Sequence, residues 1–196
     1  MNEQLTATDS KADKTVFGFW VYLMTDCILF ASLFAVFVVL RGNTFGGPSG
    51  AELFSLPFVL LETLILLTSS FTAGLAMLAV HRRDNNQVLA WFGITFALGL
   101  SFLGLELYEF ANLYQEGNGW QRSGFLSAFF TLVGTHGLHI TTGLLWMGVM
   151  MIKIYRQGIS IASAKRLTML SLFWHFLDIV WIFIFTIVYL AGDIYG

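Results

Sequence analysis

Cysteine is nearly missing from this sequence, and charge is scarce. A single cysteine, Cys27, occurs in 196 residues. No disulfide, thiolate zinc site, iron–sulfur cluster, paired-cysteine copper site or C-x-x-C-H haem attachment can therefore form within the chain. Cys27 lies in an apolar run, where packing is its expected role. Charged residues make up 11% and hydrophobic ones 57%, against about 25% charged in a soluble domain. Such a chain belongs in a lipid bilayer. A net charge of -2 points to no nucleic acid and no acidic partner. Proline is also rare, with two residues, Pro48 and Pro57. Neither interrupts an apolar run, and there is no internal repeat, so the broken helices and inverted repeats of a transporter are not indicated. Lysine and arginine are absent from the interior of every apolar run.

Five such runs are present, at 16–40, 56–80, 88–113, 124–152 and 168–190. Each exceeds the roughly 20 residues that cross a bilayer core. The expected fold is an all-α membrane protein, one domain over 1–196 built as a bundle of five transmembrane helices, with a polar tail at 1–15. The first run, Val16 to Leu40, spans about 37 Å at 1.5 Å per residue. It is too long for a signal-peptide core and no small-residue cleavage site follows it, so it is read as a retained helix. Pro57 suits the first turn of the second helix, where its missing N–H is no loss. Gly46, Gly47, Pro48 and Gly50 make the preceding connection turn-rich.

Orientation follows from the basic residues. Lys11, Lys14, Arg82, Arg83, Lys153, Arg156, Lys165 and Arg166 fall on one side, Arg41 and Arg122 on the other. The positive-inside rule puts the N-terminus in the cytoplasm and the C-terminus in the periplasm. Trp20, Trp91, Trp146 and Trp174 are expected at the inner interface, and Tyr114, Trp120, Tyr189 and Tyr195 at the outer.

The polar residues inside the spans carry the functional signal. Glu106 with Glu109, His136 with His139, and His175 with Asp178 are each three residues apart, so each pair shares one helix face. An Asp at a helix centre costs roughly 2.5–3.5 kcal/mol on insertion scales. Such groups persist where they face a protein interior, find partners or serve an ion pathway. Counting along each helix puts Asp26, Asp178, His136 and His139 near the midplane, and Glu62, Glu106 and Glu109 toward the outer side.

Two readings of the midplane group remain open. One is a hydrogen-bonded network in which Asp178 and His175 meet His136 and His139 and hold helix register. The other is a small membrane cytochrome with haem between His136 or His139 and His175. A di-iron bundle site is excluded because the fourth helix has no carboxylate. Glu106 and Glu109 are expected to be solvated or bonded to Tyr108, Tyr114 or loop backbone, a proton-carrying carboxylate ladder being the alternative. Asp26 and Glu62 meet no cation within the membrane, so they are protonated or partnered from another helix or chain. Ser70/Gly74 and Gly93/Ala97 have the four-residue spacing of close helix approach.

Three strings, ELYEF at 106–110, GTHGLHI at 134–140 and FWHFLDIVWIF at 173–183, resemble subunit III of the haem–copper terminal oxidases in sequence, order and spacing. The resemblance covers essentially the whole chain. It is to the five-helix form, lacking the first two helices of the seven-helix form. FGFWVYLMTDCILFA and LPFVLLETLILLTSS look nearest to the bacterial cytochrome bo-type ubiquinol-oxidase branch, with a five-helix bacterial cytochrome c oxidase subunit III as the neighbouring possibility. The family often has Glu after Ser where this chain has Asp26 after Thr25. The resemblance implies a non-catalytic subunit with no haem or copper of its own, bound to a catalytic subunit I that holds them, with subunits II and IV. It further implies residence in a bacterial inner membrane, bound phospholipid, and support of proton uptake and turnover stability. Asp26, Glu62, Glu106, Glu109, His136, His139, His175 and Asp178 then become structural or interface residues. By this resemblance Asp26 is the carboxylate that faces the catalytic subunit.

Overall fold

In the computed structural model, which describes residues 2–44, 46 and 55–192 with side chains from Lys14 onward, the chain is a bundle of five helices. They are α1 (Asn2–Leu40), α2 (Leu56–His81), α3 (Asn85–Gln115), α4 (Gly124–Gln157) and α5 (Ile161–Ile184), the last continued by a π-helical turn at Phe185–Leu190. All five are long and apolar enough to cross a membrane. No strand occurs among the described residues.

The helices overrun the apolar runs, and their caps show why. Asp84 accepts hydrogen bonds from the Asn86 and Gln87 N–H groups at 3.1 and 3.2 Å, which starts α3 before its first apolar residue. Ser160 accepts from Ser163 N–H at 3.1 Å and starts α5 seven residues before 168. Ser123 does the same for α4 through Leu126 N–H. These capped turns satisfy orphan N–H groups in polar sequence, which hydropathy does not register. Gly158, at φ 69°, closes α4 where a side chain would be strained. The expected tail at 1–15 is helical from Asn2, as the N-terminal part of α1. Pro57 lies in the first turn of α2, as its chemistry requires. Gly47, Pro48 and Gly50 lie outside the described residues.

Two facing seams organise the bundle. On α2 the buried positions Val59, Glu62, Leu66, Ser69, Ala73, Ala76 and Val80 alternate steps of three and four. On α3, Val88, Phe92, Thr95, Gly99, Phe102 and Glu106 do the same. This is the 3.5-residue spacing that keeps two long helices in continuous contact. Small residues on α2 make room for the phenyl rings of α3, and Thr72 and Thr95 hydrogen-bond across the seam at 2.8 Å. The α1 helix is the most peripheral, burying the stripe Leu23, Asp26, Phe30 and Phe37 and packing chiefly on α4.

The tightest approaches lie elsewhere than at the spacing motifs. A Cβ on Gly74 would meet nothing within 4 Å, and one on Gly93 only Met151 at 3.8 Å. A Cβ on Gly99 would stand 2.8 Å from the Trp174 ring, and one on Gly143 3.2 Å from it. The Trp174 indole is thus wedged between α3 and α4, donating to Ser69 Oγ of α2 at 3.1 Å. Trp174 and Tyr189, expected at the interfaces, are core residues. Trp20, Tyr114 and Trp120 are exposed, and Tyr195 lies outside the described residues. Cys27 is exposed on the outside of α1 rather than packed.

Candidate functional site

The interior polar groups fall into two layers. In the first, Asp26 lies on the buried stripe of α1 and meets His139 of α4, with Oδ1 3.6 Å from Nε2. His139 is oriented from its other nitrogen, which donates to the Thr135 carbonyl one turn back at 2.7 Å. With Nδ1 carrying a hydrogen, the Nε2–carboxyl contact is favourable only if a further proton resides on Nε2 or on Asp26. Asp26 is therefore turned into the bundle, and the helix it meets is α4. Its second oxygen, Oδ2, has no partner among the described residues.

His175 and Asp178 share one face of α5, as their spacing requires. That face looks at α2 rather than α4. Ser70 Oγ lies 3.1 Å from His175 Nδ1 and also beside Asp178. The expected meeting of Asp178 with His136 and His139 is not formed, because the α4 imidazoles are taken up differently. His139 turns to Asp26. His136 stacks on the Trp181 indole at 5.3 Å between centroids and meets Phe102 edge-on at 6.0 Å. The three histidines proposed as haem ligands are thus held in three separate settings. Among the described residues no group of three or more His, Cys, Asp or Glu could hold a metal ion. His136, His139 and His175 thus each have a different neighbour, and none of the three faces another across a shared space as paired haem ligands would.

The second layer joins Glu62 of α2, Glu106 and Glu109 of α3, and Tyr189 from the π-helical turn. These four groups lie within electrostatic reach of one another. Tyr189 O–H donates to Glu109 Oε2 at 3.0 Å. The π turn, in which Ala191 N–H reaches Thr186 carbonyl, inserts one extra residue into the helix and lets Val188 and Tyr189 both face inward. Glu106, expected to be solvated, is fully buried on the α3 seam. Its carboxyl lies against α4, where a Cβ on Gly137 would stand 2.8 Å from Oε1. Tyr108 and Tyr114 point outward and leave that role to Tyr189.

Sequence reasoning missed the serine and threonine acceptors. Trp174 bonds Ser69, Trp181 bonds Thr63 at 3.1 Å, and His175 bonds Ser70. The signal was available: an indole N–H deep in an apolar bundle needs an acceptor, and α2 offers hydroxyls at 63, 69, 70 and 72 on and beside its seam.

The model of the family described as cytochrome c oxidase subunit III matches residues 6–193. This chain belongs to that family. Among its relatives is the cytochrome bo(3) ubiquinol oxidase subunit 3 of Pseudomonas aeruginosa, 60% identical over 91% of this chain and 85% of that protein. The protein of the same name from Pseudomonas putida is 58% identical over 91% and 86%. The cytochrome c oxidase subunit 3 of a Bacillus species is 49% identical over 89% and 84%. Subunit III is a non-catalytic accessory subunit of a haem–copper oxidase. The separate settings of His136, His139 and His175 are in keeping with that role. A subunit III implies a complex with the catalytic subunits of the oxidase.

Proposed function

We propose that this chain is subunit III of a proton-pumping ubiquinol oxidase, and that it works as one five-helix unit in a bacterial inner membrane. The observation that carries the electron donor is the identity margin. Relatives named for ubiquinol oxidase reach 60% and 58%, and one named for cytochrome c oxidase reaches 49%. In this reading the chain packs against a catalytic subunit I that holds the haems and copper, together with subunits II and IV. It supports assembly, phospholipid binding, proton uptake and stability over many turnovers.

Orientation in this reading follows the distribution of cations. Lys14, Arg82, Arg83, Lys153, Arg156, Lys165 and Arg166 lie at the end of the bundle that carries the short α2–α3 and α4–α5 turns, which are tied together by Ile159 N–H to Asn85 Oδ1 at 3.1 Å. That end is cytoplasmic, and the end with Glu109 and Arg122 is periplasmic. Structural roles for Asp26, Glu62, Glu106, Glu109, His136, His139, His175 and Asp178 are supported by their burial or cross-helix contacts. The outward faces of α1 and of neighbouring helices are left for lipid and for the other subunits.

The test is purification of the tagged chain in mild detergent, followed by haem analysis and an oxygen-consumption assay with ubiquinol and with reduced cytochrome c. Co-purification of a multi-haem subunit with ubiquinol-driven activity is expected. Activity with cytochrome c alone would move the chain to the cytochrome c oxidase branch. Recovery of a haem-free monomer from membranes that contain the other subunits would defeat the assignment.

A further inference from the structure

The carboxyl layer holds polar atoms that its own hydrogen bonds do not satisfy. Glu62 is 0% exposed, and neither carboxyl oxygen has a hydrogen-bond partner among the described residues. Glu106 is 2% exposed, and its Oε2 has none among them either. His136, also 0% exposed, lacks a hydrogen-bond partner among the described residues on both ring nitrogens. A neutral imidazole carries one N–H and one lone pair, so a wall of aromatic rings leaves both unanswered. His136 stands next to Gly137, the residue against which the Glu106 carboxyl rests, and its neighbour Phe102 is one turn from Glu106 on the α3 seam. The unanswered carboxyl atoms of Glu62 and Glu106 therefore lie within reach of each other, and His136 adjoins them through Phe102 of α3 and through Trp181, which bonds Thr63 beside Glu62.

The groups that face this place are Glu62 from α2, Glu106 and Glu109 from α3, His136 from α4 with His139 behind it, and Tyr189 from the end of α5. From α1, Asp26 is engaged with His139 in the other layer. No lysine or arginine lies among them. Neighbouring carboxylates without a cation cannot all stay ionised in a low-dielectric interior. Buried polar groups that lack protein partners are ordinarily met by internal water.

The surface offers an entrance. A cleft of about 260 Å³ lies between the ends of α2 and α3, lined by Ser55, Tyr108, Glu109, Asn112 and Glu116 among others. Glu109 belongs to both environments. It lines the cleft, and its Oε2 takes the Tyr189 hydrogen bond from inside.

We propose that Glu62, Glu106 and His136 form a buried site for internal water and exchangeable protons, which communicates with the aqueous phase through Glu109 at the floor of this cleft. A hydronium ion in the cleft gives its proton to the Glu109 carboxylate and leaves as water. Glu109 passes a proton inward, directly or along a bridging water, to the Glu106 or Glu62 carboxylate, and is itself left as carboxylate. No electron moves and no bond other than O–H is made or broken. The site is independent of whether the oxidase takes electrons from ubiquinol or from cytochrome c.

Infrared spectroscopy of the intact purified oxidase in H₂O and D₂O tests this. A protonated carboxyl has a C=O stretch that shifts in D₂O, and a carboxylate has none. E62Q and E106Q should each lose such a band, E62D should keep one, and E109Q should slow deuterium exchange of the Glu106 band. Spectra of E62Q and E106Q that match wild type in this region would overturn the proton site. Unchanged exchange in E109Q would overturn the entrance. Should a Gln variant fail to assemble, a high-resolution map of the wild-type complex decides on its own. Ordered water between Glu62, Glu106 and His136 is expected, and a dry contact there would overturn the proposal.

Discussion

The two polar layers of the bundle solve the same problem in opposite ways. In the layer of Asp26, His139, Ser70 and His175, unlike groups from different helices are matched, acid with imidazole and imidazole with hydroxyl. In the layer of Glu62, Glu106 and Glu109, like groups are gathered, and Tyr189 donates a hydrogen bond to Glu109. A matched pair ties one helix to another, since each member loses its partner if the helices separate. Gathered acids tie nothing by themselves, and they persist only with protons or water to separate them. The first layer is built to hold the helices in register. The second is built to hold something between them.

Overfilling the ring packing that seats the helices carrying the matched groups should cost most. Gly99→Ala would press a methyl against the Trp174 ring, 2.8 Å away, and against Leu144 at 2.9 Å. The ring is rigid and hemmed in by Gly143 behind, so the expected loss is about 2–3 kcal/mol, toward the upper part of the range for overpacking. It is read as a lowered unfolding temperature of the purified complex. Gly74→Ala, where the same methyl meets nothing within 4 Å, is the control that makes the comparison specific.

Asp26→Ala comes next. It leaves His139 Nε2 without its acid, at an expected cost of about 1–3 kcal/mol, while Asp26→Asn retains a hydrogen-bonding group and should cost less. Neither variant should alter the haem spectrum of the complex, because Asp26 meets α4 of its own chain. Retention of the subunit through purification and oxygen consumption over many turnovers are the measurements. An Ala variant as stable as wild type would remove this pair from the register-holding layer.

Smaller still, Trp181→Phe keeps most of the ring packing but loses the N–H bonded to Thr63 at 3.1 Å. The expected loss is about 0.5–1.5 kcal/mol, and Thr63→Val in the same background should add little, since the bond is already gone. Thermal unfolding of the single and double variants settles it. The gathered side should respond least. If Glu62 carries a proton as proposed, Glu62→Gln exchanges one neutral group for another of the same shape, and stability should change by less than about 1 kcal/mol. A large loss would mean that Glu62 is ionised and paired, and would erase the contrast between the layers.

Much of this was legible before any coordinates. Apolar runs of more than 20 residues admit one structure in lipid, because every backbone N–H and C=O must be satisfied within the segment. The i, i+3 spacing of the polar pairs put each pair on one helix face. The alternating steps of three and four along α2 and α3 appear only once burial is known, because both helices are apolar on nearly every face. The helix starts of α3 and α5 were less legible, because Asp84 and Ser160 act through one or two hydrogen bonds in polar sequence.

By itself, then, the sequence determined five helices long and apolar enough to span a membrane, the helix face shared by each polar pair and the family to which the chain belongs. Each of these depends on distance along one helix. Tertiary structure alone decided that Asp26 meets His139, that His175 turns to Ser70 and not to α4, and that Tyr189 reaches Glu109. Those choices depend on how each helix is rotated about its axis. That rotation is set by the summed fit of rings into gaps such as Gly99 and Gly143, since in lipid helices associate through packing and hydrogen bonds rather than by escape from water.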